Sequence, residues 1–231
     1  MPFPVKGTGN KEAMMRYGNL PTDLGLVDIS PKEMMFHMYM PISLPGSDQV
    51  YLPEHLEVFK PLVVKAWEDE RERFREEYVY LTAKTLWVSG QYIGNRPGWH
   101  SDGFGTNDLN YIWADRAPTD FLHSREGFEF EGHNCDHFYT LCDIMEEDTW
   151  RRDCGRSWSI KQFADKHLLK LDPSVIHRSP VDFEDGMRSF AKVSISPDQY
   201  NLEGNASNYL LDLDWKMKPR NVDRNHPNKR D

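Results

Sequence analysis

His100 and Asp102 form a His-x-Asp pair within Gly98-Trp99-His100-Ser101-Asp102-Gly103, and His177 follows Asp102 by 75 residues. Arg188 stands 11 residues beyond His177. In a β-strand, residues i and i+2 project to one face, so His100 and Asp102 can reach a single ion together. His177 has to arrive from another strand folded beside them. Two neutral imidazoles and one carboxylate on one side of a ferrous ion leave its other positions open, which a closed four-ligand shell does not. A guanidinium near such an ion suits a dicarboxylate, because its planar fork matches carboxylate geometry. Gly103-Phe104-Gly105 after the pair gives the backbone room beside the metal. A lone His-x-Asp is common; the specificity lies in the whole set and its order.

These residues need a β scaffold, and the sequence supplies one. From Tyr78 onward, short β-type runs alternate with turn residues. Val79-Tyr80-Leu81, Leu86-Trp87-Val88, Asn110-Tyr111-Ile112-Trp113-Ala114 and a run beginning at Thr119 read as strands. So do Leu168-Leu169-Lys170-Leu171, Ser174-Val175-Ile176-His177 and residues 189–196, while Gly94-Asn95-Arg96-Pro97-Gly98 is a strong turn. Residues 134–168 read as partly helical or irregular, with Phe138, Leu141, Cys142 and Met145 on one stripe. Upstream, residues 1–33 read as an irregular lead-in and 36–42 as a first strand. Leu56, Phe59, Val63, Ala66 and Trp67 recur at helical spacing between Pro53 and about Glu77. Pro61 inside that stretch predicts a kink or a late start. The charge run Glu68 to Glu77 is read as a solvated helical face. Many short strands with turn signals predict a mainly β sandwich or jelly roll with flanking helices.

At 231 residues the chain is read as one domain: an N-terminal segment and supporting helix (1–77), a metal-binding core (78–197) and a C-terminal extension (198–231). The net charge of -9 argues against a broad nucleic-acid surface. No apolar run approaches the roughly 20 residues that cross a bilayer, so no membrane association is expected. The N-terminus lacks the apolar core of a secretory signal, and three scattered cysteines do not form a disulfide framework, which makes a reducing cytoplasm the expected location. His133, Cys135, His137, Cys142 and Cys154 carry zinc-type donors, but their spacing matches no standard finger. From Trp215 onward Lys216, Lys218, Arg220, Arg224, Lys229 and Arg230 outnumber the acids. A solvated terminus is the plain reading, and contact with a polyanion the sharper one.

The ordered set His100, Asp102, His177 and Arg188 resembles the Fe(II)/2-oxoglutarate-dependent dioxygenases over about residues 78–197. The resemblance implies a double-stranded β-helix, with Fe(II) held by His100, Asp102 and His177 and the outer carboxylate of 2-oxoglutarate held by Arg188. Some members carry a hydroxyl residue two positions after the arginine, where this chain has Phe190. It implies oxidation of a C–H bond by dioxygen, as hydroxylation or oxidative demethylation, with 2-oxoglutarate converted to succinate and CO2. Gln91, Tyr92 and Asn110 are further candidates for the cosubstrate site, with Lys192 an alternative cation on the strand face of Arg188. Neighbouring strand residues point opposite ways, so Asn110 or Tyr111 faces the site, not both. Trp99, Phe104 and Trp113 either shape a pocket or fill the core, and Arg96 and Arg116 either meet an acidic substrate or lie in exposed turns. A small molecule or side chain is the expected substrate. A nucleotide or nucleic-acid base is the runner-up, and a cupin-like metal module without 2-oxoglutarate turnover is the other alternative.

Overall fold

The computed structural model of the protein describes residues 16–90, 92–95, 98–103, 106–129 and 158–220. Strands β1 (Arg16–Tyr17), β2 (Thr22–Leu26) and β3 (Met35–Ser43) come first. A 3-10 segment (Glu54–Phe59) and two helices, α1 (Lys60–Asp69) and α2 (Arg71–Glu76), follow. Then come β4 (Tyr78–Val88), β5 (Leu109–Ala114), β6 (Asp120–Ser124), β7 (Phe128–Glu129), β8 (Trp158–Lys161), β9 (His167–Leu171), β10 (Ile176–Arg178) and β11 (Gly186–Ser196). The protein is mainly β, as its sequence predicts.

A six-stranded antiparallel sheet runs in the order β2-β9-β5-β11-β4-β3, and a three-stranded one in the order β10-β6-β8. The short pair β1-β7 stands apart from both. From β4 to β11 the pairings are nested. β4 pairs with β11, His100 bridges His177 of β10, β5 pairs with β9, and β6 pairs with β8. The first and last strands of this stretch are therefore neighbours, and so are its second and second-to-last segments.

Two-residue periodicity gives the large sheet two unlike faces. Val79, Leu81 and Ala83 of β4, Tyr111 and Trp113 of β5, and Ala191, Val193 and Ile195 of β11 enter one apolar core. Leu56, Phe59, Leu62, Val63 and Ala66 close that core from the helical layer. Burying one such leucine contributes roughly 1.5–3 kcal/mol. The opposite face of the same strands carries Thr82, Lys84, Asn110, Arg188, Phe190, Lys192 and Ser194.

Several expectations need correction. The stretch from Pro53 is not one helix: Pro61 lies in the first turn of α1, where its missing N–H is tolerated, and the preceding residues form the 3-10 segment. Glu70 leaves helical geometry (φ -129°, ψ 54°) and splits α1 from α2. The two runs read as separate strands over 79–88 are a single strand, because polar Thr82, Lys84 and Thr85 sit in a continuous extended segment. The irregular lead-in contains β1 and β2, and β2 gains its order by pairing with β9 at the sheet edge. Trp158–Lys161 is a strand, not helix. The candidate helical stripe at Phe138–Met145 and the zinc-type set His133–Cys154 lie outside the described residues.

Candidate metal centre

The register of one β-bridge assembles the centre. His100 N–H donates to the His177 carbonyl at 2.9 Å, and His177 N–H donates to the His100 carbonyl at 2.8 Å. Residues paired this way lie directly opposite each other with side chains on one face. Their ring centroids stand 4.5 Å apart. Asp102, two residues after His100, joins that face. One donor atom from each of His100, Asp102 and His177 falls within 4.8 Å of the others. His177 Nε2 is 3.9 Å from Asp102 Oδ2.

The donor set fits a metal ion. His100 Nδ1 lies 2.8 Å from the Gly98 carbonyl and His177 Nδ1 3.3 Å from the Val175 carbonyl. A carbonyl only accepts, so each Nδ1 carries the proton and each Nε2 keeps its lone pair. Metal-binding histidines are oriented by this kind of outer hydrogen bond. The segment past Asp102 turns tightly, with Gly103 at φ 74°. A Cβ there would sit 2.8 Å from Asp108 Cβ, so no larger residue fits without displacing the start of β5.

Lys192 donates to Asp102 Oδ2 at 2.7 Å and to the Tyr39 hydroxyl at 2.9 Å. Burial alone would raise the Asp102 carboxyl, but the Lys192 charge and the two histidines hold it well below the usual carboxylate range. Lys192 is pushed the other way: burial would lower it, and the Asp102 charge raises it above the ordinary lysine value. Tyr39 reaches this site through a bulge. The register of β3 against β4 shifts between His37 and Met40, and Tyr39 takes the left-handed φ of 46°. Its backbone N–H donates to Thr82 Oγ1 at 3.1 Å, which pins the bulge to the polar face of β4.

The triad opens into a cavity of about 170 Å3. Its floor is the polar face of the large sheet, including Thr82, Lys84, Asn110, Ile112, Phe190 and Lys192. Asn110 faces it and accepts from Ser194 Oγ at 2.6 Å, while Tyr111 turns into the core and donates to Asp69 at 2.8 Å. Trp113 is a core residue, its indole N–H donating to the Val27 carbonyl at 2.9 Å. Trp99 is buried beneath Arg178, whose guanidinium carbon lies 4.3 Å from the ring centroid. Tyr92 is 73% exposed in a tight turn and does not line the cavity, contrary to its candidate role. Arg116 donates to the Glu184 carbonyl at 2.7 Å. Gln91, Arg96 and Phe104 lie outside the described residues.

Arg188 is buried beside the cavity without lining it; its guanidinium carbon stands 5.3 Å from the ring of Phe190, which does line it. Its Nε donates to the carbonyls of Arg116 and Ala117 at 3.0 and 3.2 Å. Its Nη2 is buried with no hydrogen-bond partner among the described residues. Burial pushes its pKa down to about 10. A buried donor without a partner costs about 1–3 kcal/mol, which an acid ligand would relieve.

Sequence reading missed Tyr39, Lys84, Tyr200 and Arg220 as cavity residues. The bulge that brings Tyr39 in has no glycine to announce it. Arg220 was visible only as one cation of a basic tail. No helix among the described residues is long and apolar enough to cross a membrane. The chain matches no family model, and a search of curated proteins returns no match.

Proposed function

We propose that the protein is an Fe(II)- and 2-oxoglutarate-dependent dioxygenase that hydroxylates, or oxidatively demethylates, a small molecule or side chain. The observation that carries this reading is the convergence of His100, Asp102 and His177, with one donor atom of each within 4.8 Å of the others and both Nδ1 atoms directed at backbone carbonyls. The nested pairing of β4 to β11 across two sheets supports a double-stranded β-helix, since winding a long hairpin produces that order.

Dioxygen is the oxidant of this reaction; iron, when bound, would activate it, and 2-oxoglutarate would supply two of the electrons that reduce it. The chain's own residues hold and shield them. His100, Asp102 and His177 bind from one side. Lys192 and Tyr39 fix the Asp102 carboxylate in its charged form. The Nη2 of Arg188, which has no hydrogen-bond partner among the described residues, suits the outer carboxylate of the acid, with Lys192, which does line the cavity, as the alternative. Phe190 replaces a hydroxyl contact with an apolar wall.

The position of Arg188 behind Phe190 favours one second reading, a metal-binding module of the same architecture that takes no 2-oxoglutarate. Two assays separate them. Succinate formation from 2-oxoglutarate, with ferrous iron and ascorbate, is expected for the native protein and absent in His100→Ala. Calorimetry should show 2-oxoglutarate binding to the metal-loaded protein. Metal binding without any 2-oxoglutarate binding would leave only the second reading, and failure to bind metal would remove both.

A further inference from the structure

The cavity wall has two unlike parts. Arg188 and Phe190 lie towards the start of β11, and Phe190 pairs with Lys84 of β4. The other part comes from the C-terminal segment, where Tyr200, Leu202, Asn205 and Arg220 line the wall. We propose that Arg220 binds an anionic group, a carboxylate or a phosphate, on the primary substrate and so anchors it against the C-terminal segment. This rests on the dioxygenase reading and names the substrate class for it.

Asp102 is paired with Lys192, and Arg178 with Asp120 at 3.0 Å. Among the described residues the Arg220 guanidinium meets only neutral oxygens. Nε donates to the Glu203 carbonyl at 3.0 Å and Nη2 to Asn205 Oδ1 at 2.5 Å. Two of its five N–H donors are thus used, leaving about three for a ligand. Asn205 is itself held, its Nδ2 donating to the Tyr200 carbonyl at 2.7 Å. The next residue, Ala206, donates its N–H to the Met38 carbonyl at 2.8 Å, which ties this segment to the β3 bulge beside Tyr39. Arg220 is therefore a positioned fork, oriented before any ligand arrives, and a planar fork of this kind matches carboxylate and phosphate.

Among the described residues Asp108 is the lining acid besides Asp102, and both its oxygens are already engaged. Ser196 Oγ donates to its Oδ1 at 2.6 Å and the Tyr200 hydroxyl donates to its Oδ2. Burial raises its carboxyl above the usual value. A cation held on neutral partners in a cavity wall favours negative charge there, the more so in a chain whose net charge is -9.

The test uses the full chain loaded with Mn(II) and saturated with 2-oxoglutarate, so that the cosubstrate site is filled. Inorganic phosphate and acetate are the two probes, followed by Mn(II)-induced relaxation of their phosphorus and carbon resonances. Saturable relaxation is expected with at least one probe, and the tighter one identifies the class of anion. Arg220→Gln should weaken that binding about tenfold or more while changing 2-oxoglutarate affinity by less than about twofold, and Arg220→Lys should recover part of the loss. Equal anion affinity in native and Arg220→Gln proteins would overturn the proposal. So would the absence of saturable binding to the native protein, or a parallel loss of 2-oxoglutarate. Calorimetry with the same probes in the absence of Mn(II) keeps the two readings apart: Arg220-dependent anion binding in a protein that takes up no metal would retain the subsite and discard the dioxygenase.

Discussion

The two faces of the large sheet are built from the same strands and serve opposite ends. On one, Leu81, Ala83, Ala191, Val193 and Ile195 are fully buried in one apolar cluster with the helical layer. On the other, residues displaced by one position along the same backbones carry Lys84, Asn110, Arg188 and Lys192. Buried charges of this kind contribute little to stability and often subtract from it. In this protein they lie on the face that lines the cavity or stands beside it. A single strand such as β11 therefore divides its duties at every residue, and a slip of one position would exchange the two roles.

Substitutions can test that division, beginning with the largest effect. His177→Ala should reduce Mn(II) affinity by at least about 100-fold in calorimetry, because it removes one of three donors and outer-shell changes alone cost roughly 10–100-fold. Its effect on thermal stability should be small by comparison. On the apolar face, Leu81→Ala should lower stability by about 2–5 kcal/mol in urea denaturation. The folded fraction should still bind Mn(II); a loss of affinity matching that of His177→Ala would erase the distinction between the faces.

Arg188→Gln should weaken 2-oxoglutarate binding about tenfold or more and leave Mn(II) affinity unchanged, since the arginine touches no member of the triad. Unaltered 2-oxoglutarate affinity would shift the acid contact to Lys192.

The smallest effect is in pH dependence, where the faces carry carboxyls shifted in opposite directions. Asp108 on the cavity side is raised by burial. Its stabilising contribution is complete below the unfolded carboxylate range near about 4 and is lost as pH rises through the higher folded value. Native protein should therefore lose stability relative to Asp108→Asn as pH climbs from about 4. Asp69, on the helical side, would be raised by burial, but hydrogen bonds from Lys170 and Tyr111 and the Lys170 charge hold it below its usual value. Its contribution is present above about 4 and fades as pH falls through the lowered value, so Asp69→Asn should cost more at neutral than at acid pH. Urea midpoints measured across this range for both variants check the signs.

How much of this was legible in the sequence depends on what fixed each feature. The triad was readable because its parts are local: two ligands at strand spacing and a third on an apolar extended run. The opposite orientations of Asn110 and Tyr111 followed from the same period, although only the fold decides which of them faces the site. β4 was hard to read as one strand because its cavity-facing residues are polar, and polarity in mid-strand resembles a turn. The Tyr39 bulge is set by pairing with β4, and the place of Arg220 by contacts with Glu203 and Asn205. Neither leaves a pattern along the chain. Arg188 shows the limit from the other side: its spacing marked it correctly as a strand residue, yet its guanidinium stays beside the cavity, held on the Arg116 and Ala117 carbonyls and 5.3 Å from the Phe190 ring.

The last strand of the core lies in the middle of the large sheet, between β4 and β5. Until residues 186–196 have been synthesised, β4 and β5 have no strand to join them, and each presents an open edge. Topologies dominated by such distant pairings form slowly. On a ribosome the bridge between His100 and His177 could not close before β10 had emerged, so the three donor groups would come together late in synthesis.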